Sequence, residues 1–234
     1  MPNLKDDLIS VNLNLIHQRI AAACRLAGRN SDEVLLLAVS KTRPASDLRI
    51  AFAAGQQAFG ENYLQEALAK QEELGDLNIL WHFIGPIQSN KTRAISENFD
   101  WVHSVDRLKI AQRLNEQRPA HLLPLNICLQ VNLDNEDSKS GLTLAELPAI
   151  AAEVMQLPRL RLRGLMAIPA VRENPEEQRR VFGTLRSALE ELAQRWPDQP
   201  LDTLSMGMSA DMEAAIAAGA TIVRIGTDIF GARD

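Results

Sequence analysis

The stretch LLLAVSKTRP, Leu35–Pro44, decides the fold. Five apolar residues make a short buried strand. The run then turns polar at Ser40, Lys41 and Thr42 and stops at Pro44, which cannot donate to a strand ladder. An amine at the end of a buried strand is an ordinary loop residue in most settings, and a reactive group only where that strand end lies at a site. The pattern on either side settles which setting applies.

The same unit recurs along the chain. Apolar, strand-like runs follow at 57–60, 80–84, 101–105, 125–132, 160–168, 202–206 and 221–226. Helix-like segments separate them, at 45–54, 62–74, 88–97, 107–117, 143–156, 175–195 and 210–218. Ahead of the first strand, Leu4, Leu8, Val11, Leu15 and Ile20 recur with helical spacing and end at Gly28, a C-cap. Strands alternating with helices predict right-handed βαβ units and a parallel sheet. Eight such units in 234 residues predict an α/β fold, a single (β/α)8 TIM barrel spanning 1–234 with an extra N-terminal helix. An open doubly wound sheet is the alternative, but it ordinarily carries a Gly-rich turn after its first strand, where this chain has VSKTRP.

Composition narrows the function. The net charge is −5 with Lys and Arg scattered, so the basic footprint of a nucleic-acid binder is absent. Two cysteines, Cys24 and Cys128, lack the paired short spacing of a zinc site and suit a reducing compartment. The first residues, MPNLKDDLIS, show no secretion signal and no run is long enough to span a membrane. The expectation is a cytoplasmic protein, monomeric for want of a coiled coil or a long edge strand.

In a barrel, chemistry gathers at the C-terminal ends of the strands, and the loops after strands seven and eight commonly hold phosphate. Lys41 ends strand one. Desolvation and neighbouring cations there would lower its pKa and free the lone pair to form a Schiff base, whereas a solvated loop lysine would do nothing. Ser209, in LSMGMSADM after strand seven, is expected at a helix start, as an N-cap and an anion ligand at once. Gly226 and Thr227 open the loop after strand eight, and Asp211 is expected to turn its carboxylate away from the anion. Ile222, Arg224 and Gly226 share one face of strand eight, so an arginine enters the barrel and needs an acceptor, either an acid on a neighbouring strand or a ligand nitrogen. A lysine, a phosphate cup and an arginine together point to pyridoxal 5′-phosphate.

The motifs LLLAVSKT, FGENYLQEA (Phe59–Ala67), WHFIGPIQSNK (Trp81–Lys91), NEDSKSG (Asn135–Gly141), GLMAI (Gly164–Ile168), LSMGMSADM and VRIGTDIFG (Val223–Gly231) resemble those of the pyridoxal phosphate homeostasis proteins, also called YggS-like or proline synthetase co-transcribed homologues. These are related to the N-terminal barrel of alanine racemase. The resemblance implies covalent attachment of pyridoxal phosphate to Lys41, phosphate contacts from Ser209, Gly226 and Thr227, Arg224 at the pyridine nitrogen, and pocket contacts from Asn62 and Met208. Lys139 and Ile84 are implied as secondary contacts. It also implies a non-enzymatic role in vitamin B6 balance, with apo-enzymes as recipients of the cofactor. Relatives often carry a second lysine two positions after the first, where this chain has Arg43, which keeps the charge but forms no Schiff base.

Two other functions compete. A weak racemase-like enzyme needs a second base; the chain's single tyrosine, Tyr63, is the only such phenol, and nothing resembles the β-domain that supplies one in related racemases. Arg224 leaves a ring nitrogen neutral and so disfavours most pyridoxal chemistry. A cofactor-free Schiff-base aldolase would place its lysine late in the barrel, where GLMAI has no amine. His82 and His103 read as satisfied core residues, Phe83 and Trp101 as core, and Cys128, Gln130 and Asn132 as a polar face of strand five. RENPEEQRR (Arg172–Arg180) reads as the solvated start of a helix.

Overall fold

The computed structural model describes residues 4–134 and 140–232. A long helix α1 (Leu4–Leu26) leads, and a 3-10 turn at Ser31–Glu33 connects it to the sheet. Then follow β1 (Leu35–Val39), α2 (Ala45–Ala53), β2 (Ala58–Glu61), α3 (Leu64–Glu73), β3 (Leu80–Phe83), α4 (Thr92–Asn98), β4 (Trp101–Val105) and α5 (Leu108–Gln117). The second half comprises β5 (Leu125–Gln130), α6 (Leu147–Val154), β6 (Leu160–Met166), α7 (Pro175–Arg195), β7 (Thr203–Ser205), α8 (Met212–Ala217), β8 (Ile222–Ile225) and α9 (Thr227–Phe230). The strands close in sequence order into a parallel barrel, with β8 returning to pair with β1. The predicted eight-unit barrel and its leading helix are both present.

Alternation along β1 shows how the barrel sorts its residues. Leu36 and Ala38 pack outward with the helices, whereas Leu37 joins Ala58, Ile84 and Ile222 inside, with Val39 against them. Continuing that inner face from Leu37 and Val39 brings Lys41 to the mouth. On β8, Leu37 lies beside Arg224 in register, so Ile222, Arg224 and Gly226 follow the same inward face.

The strands end earlier than the apolar runs predict. The run 125–132 pairs only to Gln130, after which Val131 bridges Leu142, and 160–168 pairs only to Met166. Past the ladder, Ile168 is apolar where it walls the mouth, and Ala167 is buried in the core. Strand β2 runs one residue further than expected and takes in Glu61. Helix α9 has four residues, too few for a period to register in sequence. Gly164 is required for closure: a Cβ there would lie 1.8 Å from the Thr203 carbonyl oxygen on β7.

RENPEEQRR opens α7 as expected, with the Asn174 side chain accepting the Glu176 N–H. Among the described residues no helix is long and apolar enough to cross a membrane.

Candidate functional site at the barrel mouth

A cavity of about 320 Å3 opens at the C-terminal ends of β1 and β8. That is at the low end of small-ligand sites, roughly 300–1,000 Å3. Lys41, Asn62, Ile84, Met208, Ser209, Arg224, Gly226 and Thr227 all line it, joined by Val39, Arg43, Ile168 and Ala210. The expected residues are drawn from five strand ends and converge on one space. Lys139 lies outside the described residues. A second cavity of about 270 Å3 adjoins, sharing Asn62, Ile84 and Ile168 and adding Gln130 and Asn132 from the end of β5.

The Lys41 loop is clamped from β2 and α3. Ser40 donates its Oγ–H to Glu61 Oε1 at 2.6 Å, and Lys70 Nζ donates to the same Oε1 at 2.7 Å and to the Ser40 carbonyl at 2.8 Å. Thr42 donates its N–H to Glu66 Oε2 at 2.9 Å and adopts φ +64°, a left-handed conformation unusual for a threonine. Arg43 reaches across to donate to the Gly231 and Ala232 carbonyls, fastening the loop to the segment after α9. Glu61 and Lys70 were not singled out in the sequence. Burial raises the Glu61 carboxyl above its usual range, against the pull of Lys70 and Ser40.

Arg224 is buried, and its guanidinium is held by strand ends. Nη1 donates to the Ser205 carbonyl at 2.7 Å and Ser205 Oγ at 2.9 Å, and Nη2 donates to the Ala167 carbonyl at 3.0 Å. Of the two acceptors the sequence leaves open, an acid on a neighbouring strand is not its partner: among the described residues Arg224 makes no ion pair, although Asp211 lies close enough to act on it. Burial pushes the guanidinium down to about 10, still fully charged at neutral pH. Among the described residues no acceptor engages Nε–H or the second Nη2–H, and Arg224 lines the cavity.

The loop after β7 departs from expectation in one respect. Helix α8 begins at Met212 with Asp211 as its N-cap position, so Ser209 is a loop residue and not the helix cap. The intervening residues turn because Asp211 Oδ1 accepts the Met208 N–H at 2.6 Å, which commits that carboxylate to its own loop. Burial raises the Asp211 carboxyl, opposed by the Met208 N–H and Arg224. Arg19 on α1 braces this cup from behind: it donates to the Ser209 carbonyl at 3.2 Å, to Asp228 Oδ2 at 3.0 Å and to Glu213 Oε1 at 2.8 Å. The N–H groups of Ser209, Gly226 and Thr227 are not engaged by acceptors among the described residues. Gly226 sits close to β1: a Cβ there would stand 3.1 Å from the Val39 carbonyl oxygen, a tight contact. Asn62 Oδ1 is buried with no hydrogen-bond partner among the described residues.

The histidines are only partly the satisfied core residues expected. His103 is bonded at both ring nitrogens, but His82 leaves Nε2 without a partner among the described residues.

A barrel with its polar site at this mouth defines a class: residues 11–234 match the family model described as alanine racemase, N-terminal domain. Over 97% of this chain and 96% of its own length, a Pseudomonas aeruginosa protein named pyridoxal phosphate homeostasis protein is 62% identical. An Escherichia coli protein of the same name is 56% identical over 97% of each chain. The chain belongs to the alanine racemase N-terminal domain family, among its pyridoxal phosphate homeostasis proteins. A structure of PipY from Synechococcus elongatus with pyridoxal phosphate bound is 42% identical, covers 91% of this chain and all of that one, and superposes with a TM-score of 0.81. Alanine racemase from Corynebacterium glutamicum, 18% identical with a TM-score of 0.70, shares the fold, and this chain spans 62% of its length.

Proposed function

We propose that this chain binds pyridoxal 5′-phosphate as a Schiff base on Lys41, and serves vitamin B6 homeostasis by buffering the cofactor or delivering it to apo-enzymes. The observation that carries this is the single cavity shared by Lys41, Arg224 and the Ser209–Gly226–Thr227 cup. Its donors fit the group. Uncommitted backbone amides with the Ser209 and Thr227 hydroxyls suit a phosphate, and uncommitted guanidinium N–H groups suit a ring nitrogen. The orphaned Asn62 Oδ1 suits a ring hydroxyl or a protonated imine. When bound, pyridoxal phosphate supplies an aldehyde that condenses with a primary amine, releasing water, and a phosphate that anchors it.

The chain's own residues favour holding over turnover. Arg224 cannot surrender a proton at neutral pH, so a ring nitrogen beside it stays neutral and a poor electron sink. The names of the relatives support a non-catalytic role, and their solved kin PipY binds the same cofactor. Two free, buried cysteines suit the cytoplasm.

Borohydride reduction followed by peptide mapping tests the reading. One pyridoxyl adduct on Lys41 is expected, and an adduct mainly on Lys91 or Lys139 rejects the assignment. Solvent deuterium entering the α-carbon of an amino acid at about 1 s⁻¹ or faster, the low end of ordinary enzymes, would overturn the non-enzymatic role.

A further inference from the structure

Beneath the cavity a line of buried polar side chains crosses the barrel from β8 to β3. Arg224 Nη1 donates to Ser205 Oγ at 2.9 Å, Ser205 Oγ meets His103 Nδ1 at 2.7 Å, and His103 Nε2 meets His82 Nδ1 at 2.8 Å. All four residues are buried, and the His82 ring stacks on Trp101 at 5.5 Å. Nothing in the function proposed above uses Ser205, His103 or His82.

We propose that Ser205 and His103 are positioning residues for Arg224, held in a hydrogen-bond chain that runs one way, from Arg224 through Ser205 and His103 to His82. The direction follows from donor counting. A guanidinium only donates, so Ser205 Oγ accepts from Arg224. Were the hydroxyl also to accept from His103, its own proton and the His82 Nε2 lone pair would both be buried without partners, whereas with the hydroxyl donating only the His82 Nε2–H is left so among the described residues. It therefore donates to His103 Nδ1, which fixes the proton of His103 on Nε2. His103 then donates to His82 Nδ1, and His82 carries its proton on Nε2.

Both imidazoles are neutral on this arrangement. Burial pushes His82 down to about 3, and burial, with His82 and Arg224 adding to it, holds His103 well below its ordinary value. No member of the chain is an acid, so no proton can be relayed to a ring nitrogen through Arg224. Aligned bonds polarise one another and strengthen the whole line. The line pins Nη1 and leaves Nε–H and the second Nη2–H without acceptors among the described residues, on a side chain that lines the cavity. Its role toward the cofactor rests on the reading above, whereas its direction does not.

The test therefore has two arms. Histidine-selective ¹⁵N NMR of the ligand-free protein at pH 7, with His17→Gln and His121→Gln to aid assignment, is expected to show both His82 and His103 in the Nε2–H form. A Nδ1–H signal from either overturns the one-way chain. In the loaded protein, Ser205→Ala is expected to shift the absorption maximum and weaken cofactor binding about tenfold, the order of one hydrogen bond to a charged group. Borohydride should still mark Lys41. On an Arg224→Lys background the same substitution should add little, because its effect passes through the guanidinium. A folded Ser205→Ala protein with native spectrum and affinity overturns the positioning role. Failure of the native protein to give a Lys41 adduct would sink the proposed function while leaving the tautomer result standing.

Discussion

Lys70→Met isolates the clamp behind the Lys41 loop. Lys70 Nζ is 2.7 Å from Glu61 Oε1, with 8% of the lysine side chain and none of the glutamate side chain exposed. Removing the amine leaves the carboxylate buried with Ser40 Oγ as its remaining donor and takes one of two donors from the Ser40 carbonyl, which keeps the Arg43 N–H at 3.1 Å. Breaking one partner out of a buried pair costs about 3–5 kcal/mol. With a urea slope of about 3 kcal/mol per molar for a chain this size, the midpoint should fall by about 1–1.7 M. The penalty should also depend on pH, and its sign is fixed by Glu61. Burial already raises this carboxyl, and Lys70 and Ser40 pull it down, so losing Lys70 raises it further. A raised carboxyl binds its proton more tightly in the folded state, so the stability it contributes is present at low pH and is lost as pH climbs through the folded value. Lys70→Met should therefore be penalised less at pH 5 than at pH 8. Glu61→Leu combined with Lys70→Met should recover much of the loss, since an apolar pair replaces an orphaned charge. Urea titrations at the two pH values decide the matter. A midpoint shift under about 0.3 M, or one equal at both pH values, would refute a charged Glu61–Lys70 pair as the clamp.

Gly164→Ala should cost about 3 kcal/mol or more, or prevent folding, because its Cβ would meet the Thr203 carbonyl at 1.8 Å. Gly183→Ala on α7, where nothing beyond the helix's own backbone lies within 4 Å of the added carbon, should instead stabilise by about 0.5–1 kcal/mol; thermal melts of the pair check both. Arg19→Ala loosens the cup from behind: fluorescence titration should show cofactor affinity falling about fivefold, while the half-exposed ion pairs it breaks contribute only about 0–1 kcal/mol to stability. Cys24 and Cys128 are both fully buried, and burial pushes the Cys128 thiol up to about 12. A thiol reagent at pH 8 should label neither without urea and both with it.

The eight-unit barrel was legible because each strand is a short apolar run between helices of regular spacing, a signal carried by neighbours in the chain. The same logic located Lys41 and the Ser209, Gly226 and Thr227 positions, since a strand end in a barrel is a place at the mouth. Alternation alone turned Arg224 inward. Motif resemblance added Asn62, Met208 and Ile84, which periodicity could not single out. Local reading went wrong where hydrogen bonds compete over a few residues: Asp211 captures the Met208 N–H, delays α8 to Met212 and frees Ser209 from capping.

What the chain's own order determined, then, is which residues arrive at the rim. What only the closed barrel decided is which of them meet. Ser205 and His103 stand 102 positions apart in sequence yet lie within a hydrogen bond of each other across the interior. Arg224 finds carbonyls of β7 and of Ala167 just past β6, where the sequence left an acid or a ligand nitrogen open, and Glu61 finds Lys70 one helix away. Buried polar groups must be satisfied by whatever the fold brings within about 3 Å, and that neighbourhood is set by strand register and closure, which no local pattern encodes.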